Sequence, residues 1–142
     1  MRTLRLFLAG LFASLSAMRG ADQPPFLVGT FQSDKDATIA RWKAEKPFGD
    51  KTDRFIEAFS KALGKHRLEI TPTHFRSESE GFVEEESYEI VARDAKTARI
   101  RCYSGVHKRY LESRIELTDD GYWTYSDDPV KGYCEKYQRI AK

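Results

Sequence analysis

The sequence predicts a mainly β domain, α+β by count, in which a short strand and two helices precede six or seven antiparallel strands. Three features carry this. Apolar residues recur at helical spacing up to Gly64, the period becomes two beyond it, and the connections between the alternating runs are short. One apolar face per strand predicts one buried layer. A meander this long closes into a barrel or, in the alternative, curves over the two helices as a cone-like α+β domain.

The elements follow in order. Gln23-Pro24-Pro25 is a stiff lead-in to a strand over Phe26–Phe31. Ser33 is a good N-cap with Asp36 near the N3 position, and Ala37, Ala40 and Ala44 recur with Ile39 and Trp42 alongside, which predicts a helix over 34–45. Lys46-Pro47-Phe48-Gly49 breaks it. Asp50 caps a second helix over 51–63, whose stripe is Phe55, Ile56, Phe59, Ala62 and Leu63 and whose stop is Gly64. Then Leu68 and Ile70 alternate with Arg67 and Glu69, Tyr88, Ile90 and Ala92 with Glu89 and Arg93, and Ala98, Ile100 and Cys102 with Arg99, Arg101 and Tyr103. Leu111, Ser113, Ile115 and Leu117 continue the pattern, Asp119-Asp120-Gly121 is a hairpin turn, and Tyr122–Ser126 and Tyr133–Ile140 are the last two strands.

The N-terminus reads as an address. Arg2 and Arg5 precede a 12-residue apolar run, Leu6 to Ala17, the length of a secretory h-region and short of the roughly 20 residues a spanning helix needs. Residues 1–21 are therefore expected to be a signal peptide, cleaved between Ala17 and Asp22, and 22–142 one exported domain, periplasmic or secreted, without stable membrane insertion after cleavage. The signal also corrects the charge. Of 24 Lys and Arg, three lie in the first 21 residues, which leaves 21 basic against 22 acidic residues. A nearly neutral domain lacks the surplus of cations that a nucleic-acid binder uses to neutralise phosphates. Cys102 and Cys134 allow one intramolecular disulfide in an oxidising compartment, with buried free thiols as the alternative.

The order of elements resembles the calycins, the group of lipocalins and fatty-acid-binding proteins. Their mark is Gly-x-Trp on the first strand and a basic residue on the last, packed across that Trp. This chain has Gly29-Thr30-Phe31, with Phe in place of Trp, and Arg139 within Tyr137-Gln138-Arg139. The helix pair straight after the first strand is similar to fatty-acid-binding proteins, and the whole mature chain looks like small exported lipocalin-like proteins of bacteria. The resemblance implies an antiparallel eight-stranded lipocalin-like barrel, structural closure of its base by Gly29, Phe31 and Arg139, and an interior cavity for a small apolar ligand.

The inward positions expected to line that interior are Leu68, Ile70, Tyr88, Ile90, Ile100, Leu111, Ile115 and Tyr133, with the helix over 51–63 covering one opening. The aromatic group Tyr122, Trp123, Tyr125, Tyr133 and Tyr137 is either a ligand contact or core filler. Cross-strand ion pairs are the natural reading of the acidic stretch Glu78–Glu86 and the basic stretch Arg93–Arg114. His66, His74 and His107 match no metal-ligand spacing, and no nucleophile, phosphate-loop or zinc-protease motif occurs. No catalytic residue, metal or cofactor is assigned, and the sequence names no protein partner. The expected role is non-catalytic binding of a small, mostly apolar ligand. The alternatives are an interaction module with a filled core and, behind it, a metal site or enzyme built on the histidines.

Overall fold

The computed structural model describes residues 26–141, so the expected signal peptide and its cleavage site lie outside the described residues. The chain forms a closed barrel of eight antiparallel strands, each paired with its neighbour in sequence: β1 (Gly29–Ser33), β2 (Arg67–Ile70), β3 (His74–Ser79), β4 (Phe82–Arg93), β5 (Thr97–Ser104), β6 (Arg109–Thr118), β7 (Gly121–Ser126) and β8 (Tyr133–Ala141). β8 returns to β1 with Phe31 opposite Arg139 and Ser33 opposite Tyr137, and this closure replaces the cone-like alternative. The helices α1 (Lys35–Glu45) and α2 (Thr52–Phe59) lie between β1 and β2, joined by a 3-10 turn over Gly49–Lys51.

Several local expectations shift. β1 starts at Gly29, and Phe26 and Leu27 precede it as buried core residues. The cap of α1 is Asp34, whose side chain accepts from Ala37 N–H at 3.0 Å. Ser33 is spent elsewhere: its hydroxyl donates to Glu135 at 2.5 Å and accepts from Gly64 N–H at 2.9 Å. α2 is shorter than 51–63, because Asp50 falls in the 3-10 turn and the chain turns after Phe59. The two-residue turn Glu80-Gly81 between β3 and β4 has both residues at positive φ (51° and 82°), the geometry that joins twisted strands most tightly. A bulge between Ile90 and Ala92 then shifts the parity of β4, so Arg93 stands opposite buried Ala98 and takes the inward side in place of Ala92.

α1 completes the barrel wall. β1 covers β8 only as far as Tyr137, which would leave the groups of Cys134–Lys136 that face away from β7 unpaired. The helix supplies the partners: Asp34 N–H donates to Lys136 O (2.8 Å), Lys136 N–H to Thr38 Oγ1 (3.0 Å) and Trp42 Nε1–H to Cys134 O (2.8 Å). Trp42 anchors an outer apolar cluster with Ile39, Phe48, Ile56, Phe59, Leu63, Trp123 and Tyr133. The inner cluster is separate and holds Phe31, Ile70, Ala98, Ile115, Tyr122 and Tyr137.

The outer face is charged and cross-paired. Arg76 meets Glu69 across β2–β3 (3.7 Å), Arg99 meets Glu112 across β5–β6 (3.5 Å), and Arg101 pairs with Glu89 across β4–β5. At the β6–β7 turn, Asp120 receives the buried ammonium of Lys136 at 2.6 Å, and that bond, with Thr118 Oγ1, holds its carboxyl below the usual range.

Candidate functional site

Strand alternation sends Phe31, Leu68, Ile70, Phe75, Tyr88, Ile90, Ile100, Ile115, Tyr122 and Tyr137 into the barrel. They do not fill it. A cavity of about 320 Å³ remains, inside the 300–1,000 Å³ range of small-molecule sites and near its lower end. Six of the eight positions named from the sequence line it: Leu68, Ile70, Tyr88, Ile90, Ile100 and Ile115. Leu111 and Tyr133 do not. Leu111 faces inward opposite Cys102 but lies outside the cavity lining, and Tyr133 is drawn into the outer cluster, its ring 5.7 Å from Trp42 and 6.1 Å from Phe59. No residue of α2 lines the cavity; the helix packs on Trp42 and Tyr133.

Sequence reasoning missed Phe26 and Leu27, which precede the barrel, and Phe75, whose strand went unread. It also missed the polar part of the lining: His66, Ser77, Glu84, Cys102, Ser113 and Thr124. The lining is graded. Along the inward face of β4 the order is Glu84, Glu86, Tyr88, Ile90, running from carboxylates to the apolar end. Burial raises the Glu86 carboxyl, and the neighbouring Glu84 charge adds to it. Burial likewise raises the Cys102 thiol.

The apolar end is closed by the three residues that carry the resemblance. Phe31 is fully buried, edge-on to Tyr122 at 5.1 Å. The Arg139 guanidinium lies 4.7 Å above the Phe31 ring and donates to Val28 O at 2.7 Å. Gly29 makes room for it: φ is +141°, and a Cβ there would overlap Arg139 Nη1. Gly29→Ala is expected to displace the guanidinium and impose backbone strain, lowering stability by about 1–3 kcal/mol in urea unfolding. A loss of a few tenths would mean that the closure is not under this constraint.

Beside the cavity sits a carboxylate held by hydroxyls. Glu135, 3% exposed, accepts from Ser33 (2.5 Å), Tyr133 (2.7 Å) and Tyr137 (3.0 Å). Burial, with the charge of Glu135, pushes the Tyr122, Tyr133 and Tyr137 hydroxyls well up, so at neutral pH all three stay protonated. Tyr133 and Tyr137 thus donate to, and stabilise, a buried acid.

The cysteines are free thiols. Cys102 lines the cavity, whereas Cys134 lies on the outer face under Trp42, so the barrel wall stands between them and the disulfide left open by the sequence is not formed. His66 lines the cavity and His74 hydrogen-bonds Thr73 Oγ1 at 2.8 Å. Among the described residues no three His, Cys, Asp or Glu side chains converge on a common point. Compared with known proteins, the chain matches no family model, no curated protein and no solved structure.

Proposed function

We propose that this protein is an exported, calycin-like, non-catalytic binding barrel that takes a small, largely apolar ligand into its interior. The cavity carries this reading: about 320 Å³, lined chiefly by aliphatic and aromatic side chains, with a few polar groups toward one side. Export rests on the N-terminal basic and apolar run. The outer wall is laced with cross-strand ion pairs, which suits water. Nearly balanced charge supplies no surplus of cations for nucleic acid.

Native mass spectrometry of protein taken from the exported fraction tests this. The expected spectrum has a mature mass beginning between Ala17 and Asp22 and an added small-molecule mass. That added mass is lost in Ile100→Trp, which fills the cavity from its wall. A clean apo mass for the natural chain overturns the binding reading.

A second reading, an interaction module, has one observation in its favour. Phe82 (67% exposed), beside the β3–β4 turn, and Val106 (77%), in the β5–β6 turn, stand out at the same end of the barrel. The apo outcome would favour it.

A further inference from the structure

We infer that the ligand of this cavity is an amphiphile with a cationic head, an alkyl- or arylammonium, and not a carboxylate. The inference rests on the binding reading above and concerns the polarity of the same site. The cavity itself defines the site; its charges set the preference. The lining contains the carboxylate of Glu84 and, of basic side chains, only the imidazole of His66, with no lysine or arginine. Glu86 is the next inward residue on β4, close enough that the two carboxylates repel. Among the described residues neither has an ion-pair partner, in contrast to the outward acids Glu69, Glu89 and Glu112, each of which meets an arginine.

The arginines and the lysine nearest the barrel interior are placed elsewhere. Arg139 is stacked on Phe31 and bonded to Val28 O at the closed base. Arg93 lies over the ring of Phe26 at 5.2 Å. Lys136 points out through the wall to Asp120. A carboxylate drawn into this cavity would lose its hydration and meet two like charges. An ammonium would lose its hydration and gain both, in surroundings less screened than bulk water. Its tail would extend toward Ile90, Ile100 and Ile115. The size of the space, about ten water volumes, suits a tail of modest length.

Three probes of one tail length separate the possibilities: octylammonium, octanoate and octanol, titrated calorimetrically below their aggregation limits into the purified protein. The expected result is octylammonium at least tenfold tighter than octanoate, with octanol between. Added salt should weaken octylammonium alone, and in Glu84→Gln/Glu86→Gln its affinity should fall to the level of octanol. Octanoate binding as tightly as octylammonium overturns the head-group assignment while leaving the cavity reading intact. Binding of none of the three overturns both. A preference that survives the double variant removes the carboxylates as its cause. Should the variant fail to fold by circular dichroism, the natural chain's series decides alone.

Discussion

Trp42→Ala is expected to lower the unfolding free energy by about 3–5 kcal/mol, the range for deleting a large buried aromatic, out of a typical total of about 5–15. The side chain is fully buried. Its ring meets Phe48 at 5.0 Å, Phe59 at 6.2 Å and Tyr133 at 5.7 Å, all near edge-on. Its Nε1–H is also the partner of Cys134 O, on the edge of β8 that β1 does not reach. Truncation therefore opens a cavity between helices and wall and orphans a backbone carbonyl at once. Trp42→Phe separates the two parts: it keeps most of the packing and loses the donor, for an expected cost of about 1–3 kcal/mol. Equilibrium urea unfolding of both variants is the measurement. If Trp42→Ala costs less than about 1 kcal/mol, the helices are ornaments on a self-sufficient barrel and the account of α1 as missing wall fails.

This anchor also shows what could and could not be read beforehand. Trp42 was legible as part of a helix from its spacing with Ile39 and the alanines, but its role depends on β1 stopping four residues short of the start of β8, and register is not written in periodicity. The strands that alternate apolar and charged residues, Ala98–Cys102 and Leu111–Leu117, were visible, and so was most of the apolar lining they supply. β3 and the first half of β4 were hidden because, Phe75 aside, their inward positions include Ser77, Glu84 and Glu86 while an outward one is Val83: the polar cavity wall inverts the usual pattern. The feature that sets the proposed ligand preference is thus the same one that concealed the strands. The disulfide question turned on parity, and the bulge at Ile90–Ala92 shows how one extra residue exchanges faces. The closure by Gly29, Phe31 and Arg139 had no signal in composition and was reached only through the resemblance.

Alkaline pH should unfold the protein steeply. Tyr122 and Tyr137 are 2% and 6% exposed and stacked at 5.1 Å, and Tyr133 shares Glu135 with Tyr137. Burial, reinforced by that carboxylate, raises all three hydroxyls far above the ordinary value, so the native state holds these protons more tightly than the unfolded chain does. Below the ordinary tyrosine pKa of about 10 both states are protonated and the full stability is present. Above it the unfolded chain sheds the protons first, and each tyrosine withdraws about 1.4 kcal/mol per pH unit until the native value is reached. Three such groups together withdraw about 4 kcal/mol per unit, so a stability of about 5 kcal/mol, the low end of the typical range, is exhausted a little above pH 11. Phenolate absorbance and far-ultraviolet circular dichroism, followed in one titration, should change together for these three rings. Tyr137→Phe removes one linked proton and should flatten the alkaline limb by about a third, even though it also takes a donor from Glu135 and lowers stability at neutral pH. Ionisation of all seven tyrosines while the dichroism stays native would show that the Tyr–Glu135 cluster is open to hydroxide, and with it the wall beside the cavity.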